Sequence, residues 1–322
     1  MKSGLRVVVA DDRFGDYTEE NKVLAELGIE VELLSPNDAE RKAQLREAVG
    51  LLVNLYPMDA ELIEQLESCR VISRYGVGLD NVDIEAATAR GIWVARVPDY
   101  SVEEVALHAI GLLLSCVRNI SYIDREIRAG NWNIHPTRPM HRIQGSTFGI
   151  VGYGRIGRQF QQRIEMLDPG QVLVWDPYVD ERLVRESGAR AVSFETLISQ
   201  SDYISVHAPL TDETEGMFGA EEFEQMKREA ILINTARGHV VQHEALIDAL
   251  ERGVIAAAGL DVFAEEPPSD AVSRLAALPN IVMTDHCGYY SEASIVELKT
   301  KAARNILEVL KDRSPVYPVN SM

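Results

Sequence analysis

The chain has 322 residues, 46% hydrophobic and 25% charged, enough to bury a sizeable core in one large or two moderate domains. Its 32 Lys and Arg against 50 Asp and Glu leave a formal net charge of −18, which opposes direct nucleic acid binding unless a strong basic patch exists, and none is visible. Cys69, Cys116 and Cys287 fit neither a metal knuckle nor a disulfide framework, and no apolar run is long enough for a signal peptide or a bilayer span, so a soluble cytoplasmic protein without a metal site is expected.

Short β-branched runs alternate with longer helical patterns from the start of the chain. Strands are predicted at residues 6–10, 31–34, 50–54 and 71–74, with helices at 18–27, 39–48 and 59–68, the last placing Leu62, Ile63 and Leu66 at core-facing spacing. That alternation implies a mostly parallel sheet covered on both faces. The first unit ends near Pro98, and Ser101 or Asp99 then caps a long helix reaching about Asn119. Val105, Ala109, Leu112 and Leu113 recur along it at helical spacing, and so apolar a helix is expected to be buried between domains or subunits. Residues 130–144 read as a polar connection crossing between domains. A second series follows, with strands at 147–151, 171–175, 203–207, 230–234, 256–260 and 281–284 and helices at 218–226 and 243–251. Six such units describe a complete dinucleotide-binding sheet. A final helix at 291–310 is long enough to leave this domain and carry the tail back to the first one.

The strand TFGIV runs directly into Gly152, Tyr153, Gly154, Arg155, Ile156 and Gly157, followed by an amphipathic stretch. In that context a GxGxxG is a phosphate loop: Gly152 permits the tight turn, Gly154 lets backbone approach a pyrophosphate, and Gly157 lets the helix pack on its strand. Nineteen positions past Gly157, Asp176 ends a strand, where its carboxylate accepts ribose hydroxyls and repels a 2′-phosphate, favouring NAD over NADP. Three further polar groups follow predicted strands: Arg237 after ILINTA, Glu266 after AAAGLDVF, and His286 after NIVMT and Asp285. Open parallel sheets place their ligand crevice at those strand ends. A fixed imidazole shuttles one proton, a neighbouring glutamate favours its protonated form, and an arginine fork holds an oxyanion or carboxylate. Taken singly, each has a plain structural alternative: a backbone hydrogen bond for His286, a solvated loop for Glu266, a domain-edge pair for Arg237. His207 and Cys287 read as a lining residue and a thiol beside the catalytic histidine.

Across nearly its whole length the chain resembles the D-isomer-specific 2-hydroxyacid dehydrogenase family. The separated signatures are RYGVGLDNVD from Arg74, GYGRIG from Gly152, VHAPLTDET from Val206, NTARG from Asn234, GLDVFAEEP from Gly259 and the segment at His286, where HCGYYSEAS is similar to the C-terminal-binding-protein branch. The resemblance implies a catalytic set of Arg237, Glu266 and His286. It implies substrate contacts at Arg74, Tyr75, Gly76, Val77 and Gly78, shared with Arg237 and His286, and cofactor contacts at Arg155, Ile156, Asp176, His207, Pro209, Thr214, Thr235, Ala236, Arg237, Asp261 and His286 beside the three loop glycines. His239, Tyr289, Tyr290 and the stretch PDYSVEEVALH depart from the usual family pattern and shape either the pocket or a dimer contact. The expected fold is α/β with two Rossmann-like domains, a doubly wound parallel nucleotide-binding sheet and a discontinuous flavodoxin-like substrate domain. Residues 1–98 and 295–322 form the substrate domain and 99–294 the NAD-binding domain. The expected function is NAD-dependent interconversion of a small 2-oxoacid and a D-2-hydroxyacid by a homodimer, the alternative being an NAD-responsive dimeric interaction scaffold.

Overall fold

The computed structural model describes residues 4–132, 139–266 and 270–322. Two compact units result, Met1–Tyr100 with Ser291–Met322, and Ser101–Tyr290. These breaks lie a few residues from the 98/99 and 294/295 boundaries read from the sequence. Each falls at the serine that precedes a long helix, Ser101 before Val102–Arg118 and Ser291 before Glu292–Leu310, so each helix enters its unit together with its cap.

The first unit is a five-stranded parallel sheet of β1 (Arg6–Val9), β2 (Glu32–Leu33), β3 (Ala48–Val53), β4 (Val71–Arg74) and β5 (Trp93–Ala95), in the order β2-β1-β3-β4-β5. That is the flavodoxin-like order. Val8, Leu51, Val53, Ile72 and Val94 carry its core, and all are fully buried. The sequence reading missed β5, because three residues between Gly91 and Pro98 offer no measurable alternation. It also overextended the helix at 59–68, which starts from the Asp59 cap and ends at Glu64. The helix Glu292–Leu310 closes one face of this sheet. Gly50 makes that approach possible, since a Cβ there would stand 2.9 Å from Ile306 Cγ2. Asn305 then donates to Ser73 Oγ and to the Arg96 carbonyl, both at 3.2 Å, and the Val319 amide donates to Val94 at 2.8 Å.

The second unit holds seven parallel strands: β6 (Thr147–Val151), β7 (Gln171–Trp175), β8 (Arg190–Ala191), β9 (Tyr203–Val206), β10 (Ile231–Asn234), β11 (Ala257–Leu260) and β12 (Ile281–Met283). Their order is β12-β11-β10-β9-β6-β7-β8. The six predicted strands are present within a residue or two of the expected ends, and the seventh, β8, is a two-residue edge strand too short to read. The chain winds outward in both directions from β6, so the loop after β6 lies at the topological switch point where doubly wound sheets bind ligands. The helix Val102–Arg118 corrects one expectation. Its Ala106, Ala109, Ile110, Leu112, Leu113, Cys116 and Val117 lie in the core of this same unit, against the sheet, which accounts for its apolar character without a second domain or subunit. A Cβ on Gly259 would stand 3.0 Å from Leu112 Cβ, so the helix and β11 meet through a glycine. Of the polar connection at 130–144, residues 133–138 lie outside the described residues.

Because the returning helix is held by apolar packing over β3, Ile306→Ala should destabilise the protein by about 2–5 kcal/mol, the usual cost of a buried aliphatic truncation. Urea unfolding followed by circular dichroism measures it, and a loss below about 1 kcal/mol would mean that the helix is not seated as described.

Candidate active site

The loop after β6 assigns each glycine a separate steric task. Gly152 takes φ +88°, and a Cβ there would lie 2.5 Å from the Ala208 amide nitrogen, so neither the turn nor the approach of the next loop tolerates a side chain. At Gly157 a Cβ would lie 2.3 Å from the Gly152 carbonyl oxygen, which fixes the helix against its own loop. Gly154 is different: among the described residues a Cβ there would meet no atom within 4 Å. Its missing side chain therefore serves something that approaches from outside. The helix Arg155–Ile164 starts at this residue with no side chain capping its first amides. Uncapped amides at the positive end of a helix form an anion site. Arg155 is exposed and Ile156 half-buried beside them.

Asp176, at the end of β7, accepts the Tyr153 amide on Oδ2 at 2.7 Å and the Tyr178 amide on Oδ1 at 2.9 Å. These bonds hold it beside the phosphate loop while each oxygen retains a lone pair for a ribose hydroxyl. His207 bonds Ser205 Oγ through Nε2 at 2.9 Å, and burial pushes its pKa down to about 3, so the ring is neutral. Its Nδ1 and the Thr235 hydroxyl are buried without hydrogen-bond partners among the described residues. Such groups are costly unless a ligand or water satisfies them, and both follow adjacent strands, β9 and β10. The open position at Gly154 and these two orphaned atoms fit a dinucleotide lying across the strand ends. Thr214 instead turns inward: its hydroxyl donates to the Pro209 carbonyl at 2.6 Å and accepts the Thr211 amide at 2.9 Å, fixing the 209–214 loop.

After β10, the buried Asn234 clamps its own turn, accepting the Ala236 amide at 3.0 Å and donating to the Arg237 carbonyl at 2.9 Å. Arg237 donates through Nη1 to the Ala236 carbonyl at 2.7 Å. Gly238 then passes so close to the loop after β11 that a Cβ would lie 1.9 Å from the Phe263 carbonyl carbon, and this contact brings the Arg237 turn against the Glu266 loop. Glu266 accepts the Phe263 amide on Oε1 at 3.0 Å and meets His286 Nδ1 through Oε2 at 2.6 Å. Burial drives the Glu266 carboxyl upward, but its hydrogen bonds from His286 and the Phe263 amide, with the charge of Arg237, hold it below the ordinary 4.5. With Nδ1 engaged, Nε2 of the imidazole is left for proton transfer.

His286 adopts φ +57°, a region that non-glycine residues seldom enter. Asp261 sustains it. The Asp261 carbonyl accepts the His286 amide at 2.8 Å, while its carboxylate accepts the Cys287 amide at 3.0 Å, the Gly288 amide at 2.9 Å and the Thr284 hydroxyl at 2.6 Å. His108 Nε2 lies 2.9 Å from that hydroxyl and 3.3 Å from the carboxylate. His108, Asp261 and Cys287 bring ligand-type atoms within 4.8 Å of one another, but the Asp261 oxygens are already taken up by the turn. The Asp261 carboxylate, expected as a cofactor contact, is engaged by the turn that carries His286, and the placement of His108 beside it has no sequence signal because its partners lie on other elements. Tyr289 lies edge-on to the His286 ring at 6.4 Å, whereas Tyr290 and His239 are exposed.

In the first unit, residues 74–78 follow β4. Gly76 adopts φ +140°, and a Cβ would lie 1.7 Å from Arg74 Nη1, so the buried guanidinium occupies the space of a side chain. Among the described residues the amides of Val77 and Gly78 meet no acceptor, the arrangement expected of an anion nest. The Tyr75 phenol is directed inward onto Glu20, and its amide donates to the Val53 carbonyl at 2.7 Å.

Residues 110–288 match the family model for the D-isomer specific 2-hydroxyacid dehydrogenase, NAD binding domain. The chain is 38% identical over 286 residues to a glyoxylate reductase of Korarchaeum cryptofilum, covering 87% of this chain and 84% of the relative. It is 35% identical over 313 residues to a D-3-phosphoglycerate dehydrogenase of Archaeoglobus fulgidus, covering 95% of this chain but 58% of that longer protein. The structure of a D-lactate dehydrogenase from Aquifex aeolicus, complexed with NAD and lactic acid, superposes with a TM-score of 0.86 at 27% identity, covering 95% and 96% of the two chains.

The glycine geometry separates binding from folding. Gly154→Ala should leave the melting temperature unchanged yet weaken NADH binding by about tenfold or more, because its methyl group meets only the ligand. Gly157→Ala should lose both, its methyl group meeting backbone. Fluorescence titration and thermal melts on the two variants check this, and equal losses of stability would contradict the open position at Gly154.

Proposed function

Because the chain belongs to the D-isomer-specific 2-hydroxyacid dehydrogenase family, with NAD as its cofactor, we propose that it interconverts a 2-oxoacid and a D-2-hydroxyacid. The observation that carries this reading is the 2.6 Å contact between His286 and Glu266 at the ends of strands that also present Arg237 and the dinucleotide loop. When bound, NAD exchanges a hydride with C2 of the acid. His286 gives a proton from Nε2 to the carbonyl oxygen in reduction and takes it back in oxidation. Glu266 fixes the ring tautomer and stabilises the imidazolium, and Arg237 orients the carbonyl and stabilises charge growing on its oxygen. The amides of Val77 and Gly78, with Arg74 beneath them, receive the carboxylate. Asp176 selects NAD against NADP by repelling a 2′-phosphate.

A relative named glyoxylate reductase and another named glycerate dehydrogenase support a small substrate. The interaction-scaffold alternative is not favoured by relatives of this kind. A homodimer joined through the nucleotide-binding units is part of the proposal, supported by Leu107, Ile120 and Trp132, which are 59%, 55% and 78% exposed on and after the long helix. A cytoplasmic setting accords with three cysteines held as free thiols. Among the described residues, no single helix is long and apolar enough to cross a membrane.

An NADH-consumption screen over glyoxylate, pyruvate, hydroxypyruvate and larger 2-oxoacids tests the activity. His286→Ala should bind NADH normally while kcat falls by about 10²–10⁴-fold, and wild-type turnover in that variant would remove the imidazole from the chemistry. The His286–Glu266 pair also has a definite pH signature. Glu266 has a folded pKa below its unfolded value, so its contribution to stability is complete above the ordinary 4.5 and is lost as pH falls through the lower folded value. Glu266→Gln should therefore melt below wild type at pH 6, and the difference should shrink below about pH 4. A difference independent of pH would contradict an ionised Glu266 in the fold.

A further inference from the structure

Three ionisable side chains in the first unit are buried and have no part in the chemistry above. Tyr75 is 2% exposed, Glu20 0% and Lys299 3%. They come from separate parts of the chain: Tyr75 from the turn after β4, Glu20 from the helix Thr18–Leu24, and Lys299 from the returning helix Glu292–Leu310. The Tyr75 hydroxyl donates to Glu20 Oε1 at 2.7 Å, and Lys299 Nζ lies 3.7 Å from Glu20 Oε2. The ammonium also donates to the Asp16 carbonyl, lies 3.1 Å from Asp16 Oδ2 and sits 5.9 Å from the centre of the Tyr17 ring. Phe14 packs edge-on against Tyr75 at 5.3 Å.

We propose that this buried network positions the carboxylate-receiving turn, so that Tyr75, Glu20 and Lys299 are positioning residues for substrate; the inference rests on the function proposed above. Burying two charges can cost more desolvation than their attraction returns, and replacement by well-packed apolar residues of similar volume is often neutral or stabilising. Stability alone does not account for the ion pair. What the network does supply is direction. Tyr75 immediately precedes Gly76, Val77 and Gly78, and Gly76, at φ +140°, has no side chain to hold the turn by packing. The phenol is thus the nearest side-chain anchor that buries itself in the unit's interior, and a carboxylate acceptor allows its hydroxyl one placement where an apolar pocket allows several. Amide hydrogen bonds to a carboxylate weaken steeply once the donor angle drifts, so a small rotation about Tyr75 acts on the Val77 and Gly78 amides. Lys299, 3.7 Å from Glu20 Oε2, compensates the buried carboxylate by charge and not by a hydrogen bond, and it ties that region to the Asp16 loop.

The test uses the apolar triple variant Glu20→Met, Tyr75→Phe and Lys299→Met, with glyoxylate and NADH as the assay pair and oxamate titrated into the NADH complex as a reading that needs no turnover. The triple variant should melt within a few degrees of wild type and bind NADH equally. Its KM for glyoxylate and its Kd for oxamate should rise about tenfold, with kcat changed much less. The single variant Glu20→Gln, which keeps the Tyr75 phenol and an acceptor for it, should stay near wild type in both readings. Wild-type KM and oxamate affinity in a stable triple variant would overturn the network while leaving the function standing, as would a KM rise accompanied by a matching fall in NADH binding. A wild-type protein that neither turns over the acids nor binds oxamate would overturn the function and the network together.

Discussion

The candidate active site of the second unit depends on holding one histidine, His286, where its backbone does not relax unaided. A non-glycine residue at positive φ costs on the order of 1–2 kcal/mol, and a structure tolerates that only where its surroundings over-determine it. Here they do. The Asp261 carbonyl takes the His286 amide, and the Asp261 carboxylate takes the next two amides, so three consecutive backbone donors converge on one residue. Asp261 is itself buried and ionised because Thr284 and His108 supply further hydrogen bonds against the upward pull of burial. The outcome is an imidazole whose backbone is fixed from one side and whose Nδ1 is fixed by Glu266 from the other. Preorganisation of this kind matters because proton transfer is sensitive to small displacements of the donor.

The phosphate loop is legible in the sequence because its glycines recur at a fixed spacing between a β-branched strand and an amphipathic helix. That pattern is local, although one demand behind it is not: a Cβ on Gly152 would lie 2.5 Å from the amide nitrogen of Ala208, in the loop after β9. Asp176 and the positions of Arg237, Glu266 and His286 were readable for a related reason, since β-branched runs mark strands and polar residues just past them mark the ligand side of a parallel sheet. The structure adds what depends on contacts between distant segments. Gly238 looked like part of a motif, yet its role is the passage of Phe263 backbone within 1.9 Å of where its Cβ would stand. Asp261, expected as a cofactor contact, also clamps a turn more than twenty residues away, which no local pattern announces. His108, Glu20 and Lys299 carried no local pattern, because their partners lie on other elements. The strands β5 and β8 are too short to show a period at all.

Net charge and ligand charge pull in opposite directions in this molecule, and the length scales decide the outcome. A formal charge of −18 repels the pyrophosphate of a dinucleotide at long range, but at physiological ionic strength that repulsion decays over about 8 Å. The amides at the start of Arg155–Ile164 act within hydrogen-bond distance, where no counterion intervenes and where the open position at Gly154 admits the phosphate to contact. Binding is therefore governed by a few oriented backbone dipoles and not by the balance of the whole chain. The same division applies to the turn after β4, for which a carboxylate-receiving role is proposed: the buried Arg74 guanidinium beside the Gly76 backbone sets the local potential, while the acidic surface is screened. On the role proposed for Asp176, a second phosphate on the ribose would gain no such local dipoles and would meet a fixed carboxylate, so discrimination against it would need only one charge.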